Sequence, residues 1–290
     1  DKKYELIDTK EKLDGFVKTL KKQKLFAIDT ETTSLNAMAC DLVGISFSWK
    51  KDEAYYLPIL APLGCKVLDK SDVLQSIGPI LADKNIKKIG QNIKYDMLAL
   101  HVAGLPTAGI HFDTMVASYC LNAERRSHSM DNMSRDFLNY EPLPIDGLIG
   151  KGRKQITFDR VDTAAACDYA AEDADVTYQL YEYLSGRLEE YPKIKKLFHE
   201  IEMPLVSVLA KMEINGVSLD IPLLKEMSND LGKTIQNLQE SIYKLAGMEF
   251  NLDSPKQLGE ILFDRLGLKS VRSGKTTRST DAAVLEQLKN

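Results

Sequence analysis

Three acidic motifs, in a fixed order within the first 175 residues, constrain this chain more than any other feature. They are Asp29-Thr30-Glu31 at the end of an apolar strand pattern, Asn92-x-x-x-Asp96, and Tyr169-x-x-x-Asp173. Alternate residues of a strand share a face, as do helical residues four apart, so each motif presents its polar side chains together. If the acids act at one site, the fold must bring three separate segments together.

Four carboxylates from three segments are the ligand set that two-metal phosphodiester hydrolysis requires. Two divalent ions about 3.5–4 Å apart can stabilise both the attacking and the leaving oxygen without a protein nucleophile, and carboxylate oxygens suit Mg²⁺ or Mn²⁺. Two unit charges 4 Å apart repel by roughly 4 kcal/mol at an effective dielectric constant near 20. The acids are therefore expected to bind cations or to take up protons.

Within this site each residue has an expected role. Asp29 can bridge two ions while Glu31 binds one of them, and Asp96 and Asp173 come from separate helices. With an ordinary pKa near 10, Tyr169 is expected to orient the attacking water rather than to act as a base. Each motif alone has an ordinary structural explanation, such as a surface acid or an i,i+4 pair. Their joint order and spacing favour catalysis.

Composition and charge restrict the other function classes. The 290 residues are 44% hydrophobic and 28% charged, and no apolar run approaches the ~20 residues that span a bilayer. The four cysteines lie far apart without a metal-ligand pattern, which predicts free thiols and a cytoplasmic location. Residues 1–190 hold 24 basic and 29 acidic residues, so no broad basic face for wrapping long duplex DNA is expected. A start at Asp1 suggests an excised fragment.

Apolar patterns predict a mixed α/β sheet followed by helices. Strands are expected at 25–28, 42–49, 53–57 and 87–90, with helices at 113–121 and 163–188 and a long loop over 141–159. Asp113 is expected to cap its helix, and the four histidines are interpreted as structural or surface residues. We place a domain boundary near residue 190. Beyond it, apolar residues at steps of three and four over 224–245 predict a long helix packed on a partner.

Basic residues cluster in two predicted loops. One holds Lys151, Arg153 and Lys154, and the other runs from Lys269 to Arg278 through Arg272 and Lys275. Both are solvated loops by default, and phosphate contact is the alternative interpretation.

The motifs resemble a known family over nearly the whole chain. Phe26–Thr32, Gly90–Asp96 and Tyr169–Thr177 look like the three exonuclease motifs of the DEDD superfamily, tyrosine subclass, and are most similar to the 3′–5′ proofreading domain of family A DNA polymerases. Ile201–Leu205 and Asn215–Val217 resemble the segment that joins that domain to the polymerase thumb, and Phe250–Leu258 looks like the thumb itself.

The resemblance implies an RNase H-like fold for residues 1–190 and a thumb-like helical hairpin, the start of a polymerase domain, for 191–290. It assigns two metal ions to Asp29, Glu31, Asp96 and Asp173, and the water-positioning role to Tyr169. It further implies contacts to the 3′-terminal nucleotides of DNA from five residues: Thr32, Leu35, Gln91, Asn92 and Tyr95. One departure is Ser127, since family members often place an arginine directly before the position of His128.

The expected function is metal-dependent 3′–5′ exonuclease action on single-stranded DNA ends, including frayed duplex termini. The parent protein is expected to be a DNA-directed DNA polymerase of replication and repair. Since no palm or fingers motif is found, no polymerase activity is expected from this chain. Two alternatives stay open: an RNA-trimming exonuclease of the same superfamily, and a binding or structural module that is inactive outside its parent. The physiological metal, the oligomeric state and the shape of 191–290 without its palm also stay open.

Overall fold

A mixed six-stranded sheet forms the centre of the first half of the chain. The computed structural model describes residues 2–269 and 278–289, and the chain divides into two compact units, Asp1–Gly216 and Val217–Asn290. The strands are β1 (Lys3–Leu6), β2 (Leu25–Thr32), β3 (Leu42–Lys50), β4 (Glu53–Pro58), β5 (Lys87–Gly90) and β6 (Ile110–Asp113). Their order is β1-β4-β3-β2-β5-β6. β3 is antiparallel to β2 and β4, and the other neighbours are parallel.

Helices cover the sheet of the first unit. They are α1 (Lys10–Leu20), α2 (Lys70–Ala82), α3 (Ile93–Val102), α4 (Thr114–Leu121), α5 (Met130–Met133), α6 (Asp146–Ile149), α7 (Thr163–Glu189), α8 (Pro192–Leu197) and α9 (Met203–Asn215). Single 3₁₀ turns lie at Ala37–Ala39, Gly152–Lys154 and Phe158–Arg160, and π-helical turns at Ser134–Leu138 and Phe198–Glu202. The second unit holds α10 (Ile221–Ala246), α11 (Pro255–Gly259), a π-helical turn (Glu260–Arg265) and α12 (Ala282–Gln287).

β2 lies inside the sheet, between β3 and β5, and its apolar half is buried on both faces. Phe26, Ala27 and Ile28 have almost no exposed surface, as expected for a strand between two neighbours. α7 packs across β2, β3 and β4, and its buried Leu180, Leu184 and other apolar residues at helical spacing join the same core. The first half of α7 continues over the carboxyl end of β2, where Asp29 and Glu31 lie.

The predicted mixed α/β sheet followed by a helical segment is confirmed. β1 and β6, which the sequence patterns did not indicate, have four residues each, too few for an alternation to be recognised. The predicted loop over 141–159 contains α6 and short 3₁₀ turns. α8 and α9 belong to the first compact unit, which ends at Gly216. The predicted domain boundary near residue 190 therefore stays a prediction.

The predicted apolar stripe of α10 is present and exposed. Leu231, Ile235 and Leu238 each expose more than half of their surface, so the described residues contain no partner that covers them. Of the second basic loop, Arg272 and Lys275 lie outside the described residues. All four cysteines carry free thiols. No helix in the described ranges has the length and apolarity needed to cross a membrane.

Candidate active site

Asp29, Glu31 and Asp173 form a compact carboxylate cluster. Each offers an oxygen, and these oxygens all lie within 4.8 Å of one another. Asp29 and Glu31 alternate along the end of β2, so both point to the face that α7 covers, and Asp173 reaches them from that helix. Glu31 and Asp173 are buried and Asp29 is half-buried. Two of the three predicted segments are thus brought into direct contact.

The cluster is electrostatically unsatisfied. Burial raises the pKa of Asp29 to about 7. Burial, followed by the charges of Asp29 and Asp96, raises the pKa of Glu31, and burial with the charges of Asp29 and Glu31 raises that of Asp173. The Oδ1 atom of Asp173 is buried without a hydrogen-bond partner. Crowded carboxylates with an orphaned oxygen require protons or cations, and an all-oxygen donor set fits Mg²⁺ or Mn²⁺.

Asp96 lies beside this cluster but is not one of its three members. β2 pairs with β5 only as far as Ala27 and Ile89, so α3 follows β5 next to the unpaired edge at the end of β2. There the Thr30 hydroxyl donates to Oδ1 of Asp96 at 2.6 Å. Burial and the charge of Asp29 raise the pKa of Asp96, while hydrogen bonds from Thr30 oppose the rise. Thr30 thus fixes the orientation of the Asp96 carboxylate beside the cluster.

Tyr169 lies one turn before Asp173 on α7 and is half-buried. Burial, and then the carboxylates of Asp173, Glu31 and Asp29, raise the pKa of Tyr169 far above its ordinary range. The phenol therefore keeps its proton at neutral pH. Its ring also contacts Phe158, with 5.9 Å between the centroids, which supports the side chain from the loop before α7.

Asp113 caps two helices at once, and only one of these caps, that of its own helix, was expected from the sequence. Its carboxylate accepts from the backbone N–H groups of Met115 and Val116 at the start of α4. It also accepts from those of Asn92 and Ile93 at the start of α3, at 3.1 and 2.9 Å. Asn92 has a left-handed conformation with φ of 56°. Asp113 thereby fixes where α3 begins and, through it, the position of Asp96.

The residues expected to contact DNA differ in their accessibility. Leu35, Asn92 and Tyr95 line a groove of about 220 Å³ that begins where β2 ends, and Leu35 is 97% exposed. The Tyr95 hydroxyl donates to the Ser34 carbonyl at 2.6 Å and also contacts the Thr32 hydroxyl. Thr32 and Tyr95 therefore hold the turn that presents Leu35.

Lys94 and Glu213 complete the lining of the same groove and were not anticipated as site residues. Their side chains form an ion pair between α3 and α9. The pair could not be found from sequence, because 119 positions separate its members.

Gln91 is bonded within the protein rather than presented to the groove. Its Nε2 donates to the His128 carbonyl at 2.9 Å, and its Oε1 accepts from the Thr114 hydroxyl. His128 contacts Ser118 Oγ through Nδ1 at 2.9 Å, in keeping with its structural interpretation. Gln91 thus fastens the loop around His128 to the start of α4.

Two family models and several known proteins match this chain. The family model described as 3′–5′ exonuclease matches residues 4–189, and that of DNA polymerase family A matches residues 221–290. DNA polymerase I of Pseudomonas aeruginosa is 41% identical and covers 98% of this chain, which is 32% of that protein. DNA polymerase I of Borreliella burgdorferi is 39% identical, with coverages of 99% and 31%. The chain thus spans about a third of the length of these relatives.

A solved structure shares the fold. The POL domain of Pol1 from M. smegmatis, in complex with DNA primer-template and dNTP, matches with a TM-score of 0.69 at 21% identity, covering 98% of this chain and 45% of that one. The exonuclease match extends over well over half of the chain and includes all three acidic motifs. The chain therefore belongs to the 3′–5′ exonuclease family, in the form carried by family A DNA polymerases.

Proposed function

We propose that the chain hydrolyses the 3′-terminal phosphodiester bond of DNA, releasing nucleoside monophosphates from single-stranded or frayed ends with the help of two Mg²⁺ or Mn²⁺ ions. The observation that carries the proposal is the convergence of Asp29, Glu31 and Asp173, whose oxygens lie within 4.8 Å of one another. Membership of the 3′–5′ exonuclease family supports the direction of hydrolysis. The relatives' name, DNA polymerase I, supports DNA over RNA as the substrate.

Four acids would hold the ions. Asp29, Glu31 and Asp173 would hold one ion, and Asp29 with Asp96 would hold the second. Divalent ions at these positions would stabilise the charge that develops on the attacking and leaving oxygens. The Thr30 hydroxyl keeps Asp96 in a fixed orientation, so that its carboxylate need not reorganise when the substrate arrives.

The remaining residues position the substrate and water. Tyr169, protonated at neutral pH, would orient the attacking water through its hydroxyl without accepting a proton from it. Leu35 stands fully exposed at the groove, where its side chain can pack against a terminal base, and Asn92 can approach a phosphate. Stacking and apolar contact of this kind depend little on base identity, which favours low sequence preference.

The longer protein implied by the relatives is proposed to be a DNA-directed DNA polymerase of replication and repair. The match of residues 221–290 to the family A polymerase model supports a thumb-like role for this segment. Residues 1–190 would form the exonuclease domain and residues 191–290 the linker helix and thumb. The expected absence of polymerase activity from this chain and its cytoplasmic location stay predictions.

Digestion of a 5′-labelled single strand tests the proposal. With Mg²⁺ or Mn²⁺ present, the product ladder should shorten from the 3′ end, and a chelator or the substitution Asp29→Ala should abolish it. Asp168→Ala is the control, since Asp168 is an exposed acid on α7, the helix that carries Asp173. If Asp29→Ala digests DNA as fast as the parent chain, the assigned site is wrong.

Two further assays separate the alternatives. Faster digestion of an RNA strand than of a DNA strand of the same sequence would favour an RNA-trimming enzyme. Absence of digestion together with calorimetric binding of Mn²⁺ would favour a module whose site forms but does not act alone.

A further inference from the structure

A basic groove lies at the end of the sheet opposite to the acids, where β2 and β5 begin. It has a volume of about 680 Å³, and four of its lining residues are lysines, Lys21, Lys22, Lys24 and Lys87. The other lining residues carry no charge. Lys21 and Lys22 follow α1, Lys24 precedes β2, and Lys87 begins β5. The backbone N–H of Lys87 donates to the Lys24 carbonyl at 2.9 Å, which holds the two segments side by side.

These lysines have no acidic partners. All four are exposed, and none forms an ion pair among the described residues, although many other lysines of the chain do. The Nζ of Lys87 lies 3.5 Å from Nε2 of His111, an imidazole that brings no negative charge. Residues 1–216 carry 28 basic and 32 acidic residues, so the groove is a positive site on a negative unit. Favourable interaction with the dipole of α1 would account for Lys21 and Lys22 but not for Lys24 and Lys87.

We propose that this groove binds the phosphodiester backbone of nucleic acid at a distance from the 3′ end that the acids hydrolyse. The lining also includes the apolar residues Leu25 and Ile86. Unpaired lysines suit phosphates and carry no information about base sequence. The inference rests on the proposed function, because the acidic site supplies the reason for a nucleic acid partner. It adds a second contact, formed by separate residues at the other end of the sheet.

The length of β2 determines which substrates reach both sites. β2 runs from Leu25, at the groove, to Thr32, beside the acids, a distance of about 23 Å at ~3.3 Å per residue. This corresponds to about seven base-pair steps of DNA at ~3.4 Å each. A tetranucleotide held at the acids cannot reach the lysines, whereas a strand of about 20 nucleotides can.

Binding measured against salt concentration tests the proposal. The fluorescence anisotropy of a labelled tetranucleotide and of a 20-nucleotide strand is followed with chelator present, so that nothing is hydrolysed. Replacing Lys21, Lys22, Lys24 and Lys87 together by Gln should lower the slope of log affinity against log salt by about 3 for the long strand, since each phosphate contact contributes roughly 0.7. Affinity for the long strand at low salt should fall at least about tenfold, and the tetranucleotide should bind unchanged.

Two control proteins make the result decisive. One replaces four exposed lysines from other surfaces, Lys51, Lys66, Lys70 and Lys193, by Gln, and so removes the same charge. The other replaces the four groove lysines by Arg, which keeps their charge and should keep the salt slope. The proposal is overturned if the groove variant and the distant variant lose equal affinity, or if long-strand binding is unchanged. A chain that binds DNA through the groove but hydrolyses none would refute the proposed function alone.

Discussion

Asp29→Asn is expected to stabilise the first unit when metal is absent and to abolish its stabilisation by Mn²⁺. The pKa of Asp29 rises from its ordinary 3.8 to about 7 in the folded chain. Between these pH values the folded protein keeps a proton that the unfolded chain has released. The free energy of unfolding therefore falls as the pH rises through this window.

Two estimates of the free-energy cost of ionising Asp29 in the folded chain have the same order of magnitude. A shift of about three pH units corresponds to about 4 kcal/mol at 1.36 kcal/mol per unit. Independently, two carboxylates at most 4.8 Å apart repel by at least about 3.5 kcal/mol at an effective dielectric constant of 20. Asn keeps the shape of Asp29 but carries no charge, so at pH 8 the variant should be more stable than the parent by about 2–4 kcal/mol. Mn²⁺ should then stabilise the parent chain and not the variant.

Urea unfolding followed by tryptophan fluorescence measures this change. The chain has one tryptophan, Trp49 on β3, which stacks on Tyr55 with 4.6 Å between the ring centroids. Its fluorescence therefore reports the unfolding of the first unit. Urea titrations at pH 5 and pH 8, with chelator present, give the decline in the free energy of unfolding between these two pH values. Asp168→Asn, which changes an exposed acid, should leave that decline as it is in the parent. An equal pH decline and an equal gain from Mn²⁺ in Asp29→Asn and the parent would refute the reasoning.

Three further substitutions test single contacts. Tyr169→Phe should slow hydrolysis by about ten- to a hundredfold, because the attacking water is misplaced. Mn²⁺ binding, measured by calorimetry, should stay the same, and a loss of metal binding would contradict the orienting role of Tyr169. Thr30→Val should destabilise the first unit by about 1–3 kcal/mol, because buried Asp96 loses the hydroxyl donor, and it should also weaken Mn²⁺ binding. Thr30→Ser keeps the hydroxyl and should keep both the stability and the Mn²⁺ affinity. Burial lowers the pKa of Lys88 to about 8 from 10.5. As the pH rises, the folded chain therefore loses the Lys88 proton before the unfolded chain does, and the free energy of unfolding rises between pH 8 and 10.5. Lys88→Met should reduce that rise, by up to about 3 kcal/mol, in urea titrations at pH 7.5 and 10.

Much of the fold follows from local patterns. The apolar run before Asp29 indicates a strand, which extends four residues past its expected end. The spacing after Thr163 indicates a long helix, which ends within one residue of its expected end. Such patterns work because burial of a strand or a helix face depends on a short repeat along the chain. Strands β1 and β6 escape detection because four residues hold too few repeats. The exposed apolar stripe of α10 shows another limit of such patterns. A repeat predicts that a helix has an apolar face, but it does not indicate which part of a protein packs against that face.

The chemical identity of the site was also contained in the sequence, because residue type fixes what a side chain can bind. Asp29, Glu31 and Asp173 are suited to divalent cations wherever they lie, and their order along the chain favours a shared site. How they meet was decided by tertiary structure alone: α7 crosses the end of β2, and Asp113 anchors α3 so that Asp96 reaches Thr30. Distances and pKa shifts arise from burial between segments far apart in the chain. Electrostatic energy depends on separation in space, which no local pattern of residues records.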